Sequence, residues 1–391
     1  MITSVGRWRF RLPGGRIMGI HNQTQKRNAM PRIACIGGFL GSGKTTAIME
    51  AARIMIARGE RVGIVTNDQG KNLVDTALIV SQGFPAEEIS GGCFCCKFDH
   101  FSKHCRRLVE RFQTEIILAE AVGSCTDLSA TVCRRLRIYH STEFEVAPLT
   151  VMVDPDRLQA MLDNAAGFDG TVKYLFEKQL AEADLIVLTK VDLLSEQEII
   201  DLREQIRQFT PGVPIQSMSA KTGSGVSQWV QHVLSADFGE RKLELDYDTY
   251  GRAEAALGWL NATVEAASDR QFHPKSLGED LIAAIQGHCS QKEAQVAHIK
   301  IMFVTADGNN WIALTNSAGR PAWGMKRQLS ASSEASVIIN ARVCLAPAEL
   351  RQIVEHSINE VTTKQGITAA VSHMECFSPS PPKRPVMLEE A

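Results

Sequence analysis

At 391 residues, with 44% apolar and 22% charged residues, the chain has room for one large soluble domain and a smaller one. A formal charge of -2 supplies no basic field for nucleic acid, and no apolar run approaches the roughly 20 residues that cross a bilayer. Ten cysteines, with no apolar stretch behind the N-terminal charges, suit a reducing, cytoplasmic compartment where thiols stay free or bind metal.

The first 30 residues carry Arg7, Arg9, Arg11, Arg16, Lys26 and Arg27 and no acid. They read as a disordered extension, or as a start assigned upstream of Met18 or Met30. From residue 31 short apolar runs alternate with helical ones. "RIACI", "RVGIVTND", "EIILAE", "PLTVMVD", "ADLIVLTK" and "VPIQSMSA" read as strands covered on both faces, because Val, Ile and Leu run through them almost unbroken. "KTTAIMEAARIMIAR" puts Ile48, Ala51, Ala52 and Met55 on one helical face, and "EQEIIDLREQIRQF" is a further helix. The alternation predicts an α/β fold over residues 31–236, a mostly parallel sheet with helices on both faces. Residues 237–249 are polar and read as a linker.

Residues 250–377 predict a smaller α+β domain of split-βαβ type. Its strands are "ALGWLNATVEA", "AHIKIMFVTA", "NNWIALTNS", "ASVIINARVCL" and "GITAAVSHMECF", and its helices "SLGEDLIAAIQGH" and "APAELRQIVEHSINEVT". The proline-rich end, 378–391, reads as a disordered tail.

The first chemistry lies in "GFLGSGKTT", which holds the phosphate-loop spacing: Gly38, Gly43, Lys44, Thr45. Backbone N–H groups around Gly38, Gly41, Ser42 and Gly43 can wrap phosphates, Lys44 adds a point charge, and the hydroxyl of Thr45, followed by Thr46, can ligate Mg²⁺. "TKVD" ends a later strand with Thr189, Lys190 and Asp192, where a carboxylate accepts from guanine N1 and N2. "SAK" (Ser219, Ala220, Lys221) ends the next, where an amide can meet guanine O6. Together they favour guanine, with one contact weakened by Thr189 in place of the commoner Asn. Asp68 and Glu120 close two further strands at the crevice and are candidate Mg²⁺ or catalytic carboxylates, and Gly123 lets the backbone approach the γ-phosphate. Neither a glutamine nor an arginine finger is evident, so unaided hydrolysis should be slow.

The second chemistry lies in "GGCFCC". Cys93, Cys95 and Cys96 precede a predicted helix, where thiols ionise more readily, and they crowd too closely for an ordinary core pattern. Sulfur ligands favour Zn²⁺, Cu⁺ or a similar borderline-soft ion over Mg²⁺ or Ca²⁺; Zn²⁺ is the first expectation, with Co²⁺ or Ni²⁺ as alternatives. Three sulfurs leave one position open, for a histidine, a water or a partner protein. His100, His104 and Cys105 are weaker candidates, as is His288 with Cys289, whereas Cys35, Cys125, Cys133, Cys289 and Cys344 read as small core residues.

"GGFLGSGKTT", "GGCFCC", "EAVG" and "TKVD", in this order, resemble the CobW-like GTPases, relatives of the nickel chaperones UreG and HypB. The resemblance implies a P-loop GTPase that binds GTP/GDP and Mg²⁺, with Cys93, Cys95 and Cys96 matching the metal-binding cysteines and hydrolysis coupled to metal delivery. It further implies a client metalloprotein or cofactor-pathway enzyme as partner; a homodimer is also expected, and neither nucleic acid nor membrane. Two departures stand out: Asp68 in "NDQG" sits where relatives carry a glutamate, and no histidine-rich tract is present. Two other readings stay open, a regulatory GTPase that gates cofactor loading without carrying metal and a P-loop kinase of a small metabolite.

Overall fold

Eight strands run in one direction in a single sheet and end in loops at its carboxyl edge. The computed structural model describes residues 30–68, 70, 74–162, 170–239, 241, 243–324 and 327–379; the basic extension and nearly all of the proline-rich tail lie outside them. The strands are β1 (Arg32–Gly37), β2 (Val62–Asn67), β3 (Ala86–Ile89), β4 (Ile116–Glu120), β5 (Glu145–Val146), β6 (Thr150–Val153), β7 (Leu185–Leu188) and β8 (Ile215–Ser217). Their order is β3-β2-β4-β1-β6-β7-β8, with the short β5 beside β1, and every pair is parallel. Strand β3, "AEEI", escapes the apolar pattern because it is an edge strand, with Ala86, Glu87 and Glu88 only half buried.

Helices α1 (Lys44–Ala57), α2 (Val74–Ser81), α3 (Phe98–Phe112), α4 (Arg135–Tyr139), α5 (Pro155–Leu162), α6 (Gly170–Ala181), α7 (Glu196–Phe209) and α8 (Val226–Ser235) connect the strands. Two apolar clusters flank the sheet, one around Ile33, Cys35, Phe101 and Leu188, the other around Ile36, Ile48, Met55 and Trp229. Strand order reverses at β1, which leaves a crevice at its carboxyl end, the usual ligand position in such sheets.

The stretch read as a linker runs into helix α9 (Tyr247–Ala255), which is capped by Asp246 accepting from the Asp248 N–H at 3.0 Å. Beyond it come β9 (Gly258–Phe272), α10 (Pro274–Gln291), β10 (Val296–Thr305), β11 (Gly308–Leu314), β12 (Ala322–Trp323), β13 (Ser332–Val343), α11 (Pro347–Gln365) and β14 (Thr368–Phe377). This second sheet is antiparallel throughout, in the order β12-β11-β10-β13-β9-β14. Its four long strands interleave two β-α-β units, as the split-βαβ reading expects.

Alternation along these strands divides the labour. Ile299, Ile301 and Phe303 on β10, with Val337, Ile339 and Ala341 on β13, pack with Leu281, Ile285, Leu350 and Val354 of α10 and α11. The intervening residues turn toward the first domain. Lys300 pairs with Asp75, Asn340 accepts from the Val74 N–H at 3.1 Å, and Arg342 pairs with Asp68 at 2.8 Å. Met302 and Trp311 belong to the apolar cluster around Ile36. The second sheet therefore roofs the crevice of the first.

Candidate functional site

The loop after β1 is held in shape by glycine geometry. Gly38 has φ 124°, and a Cβ there would lie 2.2 Å from the Met152 carbonyl oxygen, so no other residue fits without moving β6. With the loop so placed, the Lys44 ammonium folds back to donate to the carbonyls of Gly38 at 2.7 Å and Phe39 at 3.2 Å. Burial lowers its pKa, while Glu120 and Asp75 act the other way.

Above the loop lies a cavity of ≈ 860 Å³, within the range of small-molecule sites. Gly41, Gly43, Lys44, Thr45, Thr46 and Gly123 line it, together with Thr189, Lys190, Asp192, Ser219, Ala220 and Lys221. Gly38 and buried Ser42 stand behind this wall in the loop itself. Gly123 is a place of close approach, since a Cβ there would meet Leu40 at 2.7 Å.

On the side read as base-recognising, the Asp192 carboxylate accepts from the Ser219 hydroxyl at 2.6 Å, and Lys221 lies 3.9 Å from it. Lys190, in the left-handed conformation at φ 55°, pairs with Asp154. The Thr189 hydroxyl lies 2.8 Å from the Ser42 carbonyl and 3.0 Å from the Val153 carbonyl, and its single proton serves one of them at a time.

Three oxygens converge beside Lys44. The Thr45 hydroxyl lies 2.9 Å from Glu120 Oε1 and 3.0 Å from Asp75 Oδ1, and its single proton cannot serve both. Burial first, then the charge of Asp75, lifts the Glu120 carboxyl to about 7, and its Oε2 is buried with no hydrogen-bond partner. Burial would raise Asp75 too, but the Lys300 ammonium holds it down, at about 2. An all-oxygen set with an orphaned lone pair fits a hard divalent cation such as Mg²⁺.

Asp68, expected in this group, is engaged elsewhere. Both of its oxygens accept from Arg342, at 3.1 and 2.8 Å, and Oδ1 also accepts from the Gly70 N–H at 3.0 Å. The second carboxylate beside Thr45 is Asp75, which the sequence reading passed over because it lies within α2 among apolar residues. Lys300 and Arg342 were missed as well: they reach the cavity across 225 and 274 residues of chain.

The cysteine loop follows β3 and leads into α3. Cys93, Cys95 and Cys96 bring their sulfurs within 4.8 Å of one another, grading from buried Cys93 to exposed Cys96. Asn67, at the end of β2, staples this loop. Its amide donates to the carbonyls of Ile89 at 3.0 Å and Gly92 at 2.8 Å, and its oxygen accepts from the Phe94 N–H at 2.9 Å. The Cys125 thiol, read from sequence as a core residue, lies buried within hydrogen-bonding reach of Cys93 and Cys95. Hydrogen bonds from Cys125, then Cys95 and Cys96, pull the Cys93 thiol far below its ordinary range; contacts with Cys125, Cys93 and Cys96 raise Cys95, and the contact with Cys93, with burial, raises Cys125.

The weaker metal candidates go elsewhere. Cys105 is buried in the core, and His104 Nδ1 meets Glu87 Oε2 at 2.7 Å on the flank of β3. His100 is exposed. His288 parts from buried Cys289 and groups instead with His356 and Glu360 on α10 and α11. No described helix is long and apolar enough to cross a membrane.

Comparison with known proteins places this geometry. Residues 32–217 match the nucleotide-binding domain described as CobW/HypB/UreG. The zinc chaperone CobW of a Sinorhizobium species is 29% identical over 209 residues, covering 48% of this chain and 58% of that protein. The zinc chaperone YeiR of Escherichia coli is 28% identical over 184 residues, 42% of this chain and 47% of that protein. The chain thus spans about half the length of these relatives. Among solved structures, the Zn(II)-bound YjiA GTPase of E. coli aligns over 84% of this chain and 99% of that one, at 14% identity and a TM-score of 0.35. This chain carries a nucleotide-binding domain of the CobW/HypB/UreG family.

Proposed function

We propose that the protein is a GTP-binding and GTP-hydrolysing metallochaperone, which takes up a transition metal through Cys93, Cys95 and Cys96 and delivers it to a client metalloprotein. The observation that carries this reading is a cluster of three thiols within 4.8 Å, stapled by Asn67 to the sheet edge that also bears the phosphate loop. Zinc is the favoured ion, because thiolates suit it and two relatives are named zinc chaperones.

The residues divide the work as follows. Backbone N–H groups of the 38–45 loop and the Lys44 ammonium would hold the β and γ phosphates, and Asp192 with the 219–221 turn would read guanine. Thr45, Glu120 and Asp75 would hold Mg²⁺, which when bound offsets phosphate charge. Lys300, beside Asp75, adds positive charge at the same end of the cavity. Loss of the γ-phosphate would relax the loop after β4 and loosen the neighbouring cysteine loop, so that the ion can pass to a client. Coupling is reciprocal: whatever factor GTP adds to metal affinity, metal adds to GTP affinity.

The test is Zn²⁺ titration of the full chain with a GTP analogue and Mg²⁺, with GDP, and without nucleotide. Affinity should be highest with the analogue, and equal affinity in all three states overturns the proposal. The double variant Cys93→Ser, Cys95→Ser should keep GTP hydrolysis and lose client metallation. Client metallation unchanged in that variant would favour a regulatory GTPase that gates loading without carrying metal.

A further inference from the structure

Among the described residues three histidines pair with a carboxylate, and in two of the pairs an arginine already holds that carboxylate. His104 Nδ1 meets Glu87 Oε2 at 2.7 Å, but Arg107 and Arg111 lie 3.4 and 3.7 Å from the same side chain. His140 Nδ1 meets Glu143 Oε1 at 2.9 Å, and Arg106 donates to that oxygen at 2.9 Å. A guanidinium so placed neutralises the carboxylate and repels a further cation.

The third pair differs. His288 Nε2 lies 3.1 Å from Glu360 Oε2, and no described lysine or arginine pairs with Glu360. A second imidazole joins them: the His356 ring stands edge-on to that of His288, with centroids 4.9 Å apart. One ligand atom from each of the three residues lies within 4.8 Å of the other two.

The helices that carry them are fixed from below and at both ends. Leu281, Ile285 and Cys289 of α10 share one buried cluster with Leu350, Val354 and Ile358 of α11. At one end the Gln365 amide donates to Asp280 at 2.8 Å, and at the other Lys292 pairs with Glu349 at 2.9 Å. The two helices therefore run antiparallel. His288 stands next to buried Cys289, and His356 next to buried Ser357, so packing of the inner face sets the height of the outer one. His356 and Glu360 are four residues apart, on one face of α11. Because 72 residues of chain separate His288 from Glu360, the sequence shows no histidine run.

The spacing suits a metal ion. Bonds of about 2.0–2.2 Å from a tetrahedral ion to nitrogen and oxygen put neighbouring ligand atoms about 3.3 Å apart. The His288–Glu360 contact is already near that length, and the exposed His356 and Glu360 have room to close the rest. Two imidazoles and a carboxylate are the donor set of an open zinc site, which leaves the fourth position to water.

We propose that His288, His356 and Glu360 form a second transition-metal site, which takes Zn²⁺ or a neighbouring divalent ion such as Co²⁺ or Ni²⁺. The ion accepts lone pairs from two neutral imidazoles and one carboxylate oxygen and sheds water, with no change of oxidation state. The site goes beyond the reading of the cysteine loop and does not rest on it. Helices α10 and α11 cover the face of the second sheet opposite Lys300, Asn340 and Arg342, so the ion binds away from the nucleotide cavity. With two of three ligands exposed and water as the fourth, it exchanges with solvent.

The experiment is titration of the full chain with Co²⁺, an optical stand-in for Zn²⁺, followed by absorption and bound-metal stoichiometry. Wild type is compared with the double variant His288→Gln, His356→Gln and with Glu360→Gln. The wild type should bind one more equivalent than the double variant, and that ion should show d–d bands without sulfur-to-metal charge transfer. Glu360→Gln should weaken this equivalent at least tenfold, since even an outer partner of a ligand is worth on the order of 10–100-fold. Any charge-transfer band from thiol-bound Co²⁺ should be the same in all three proteins. Equal stoichiometry in wild type and double variant, or unchanged affinity in Glu360→Gln, overturns the proposal. A missing charge-transfer band with the stoichiometric difference intact would overturn the cysteine-loop reading and leave this site standing. All three positions reach the surface, and equal urea midpoints without metal would show that the variants keep the fold.

Discussion

The phosphate loop and the cysteine loop leave the same edge of one sheet, yet they are assembled on opposite plans. The phosphate loop is contiguous: Gly38 to Thr45 make a single strand-to-helix turn, and Lys44 is oriented by carbonyls five and six residues away. The cysteine centre is composite. Its loop hangs on Asn67, 25 and 27 residues away at the end of a different strand. A contiguous site keeps its shape while neighbouring elements move. A composite one changes whenever they do, which is what a centre that must release its ion requires.

The sharpest way to break the comparison is to disable the contiguous site alone. Lys44→Ala should lower kcat for GTP hydrolysis by about 10²–10³, the usual result of losing one preorganised charge at a transition state. Zinc affinity without nucleotide should be unchanged, and the increment produced by a GTP analogue should disappear. Steady-state hydrolysis and competitive zinc titration on the same preparation measure both. A large fall in nucleotide-free zinc affinity would mean that the two loops are not separable.

A smaller effect should follow from loosening the composite site without touching a ligand. Asn67→Ala removes three hydrogen bonds from the cysteine loop. The expected costs are about 1–3 kcal/mol of stability and on the order of 10–100-fold in zinc affinity. Denaturant unfolding and zinc titration check these, and an unchanged zinc affinity would show that the loop holds its shape unaided.

A separate effect, on stability alone, concerns helix α9, against which the Cys125 loop rests. Burial raises the Glu254 carboxyl from 4.5 to about 8. Its folded pKa exceeds its unfolded one, so the stabilising contribution is complete below pH 4.5 and is lost as pH rises toward and through 8. In the metal-free protein, Glu254→Gln should flatten the fall of unfolding free energy across this window by about 1.4 kcal/mol per pH unit, the equivalent of one proton. Urea melts at several pH values would read it, and parallel slopes in the two proteins would place the charge outside the buried contact.

Much of this organisation was legible before any coordinates. The strands β1, β2, β4, β6, β7 and β8 announce themselves because both of their faces are covered, and the second sheet because its long strands alternate. Strand β3 and helix α9 were harder: one is a charged edge strand and the other lies in polar sequence. The phosphate loop was readable because its chemistry needs fixed spacing along the chain, whereas Asp75, Asn67, Lys300 and Arg342 occupy no motif.

The sequence by itself determined the two centres wherever neighbouring residues do the work: glycines that permit the loop after β1, a lysine and threonine at the start of α1, three cysteines before α3. Only the tertiary structure decided which carboxylate stands beside Thr45, which cations roof the cavity, and which side chain holds the cysteine loop. The reason is physical. Spacing along a chain encodes contacts within a turn or a strand, while contacts between strand ends depend on the order of strands in the sheet. That order places β2 beside β3, and so puts Asn67 against the cysteine loop.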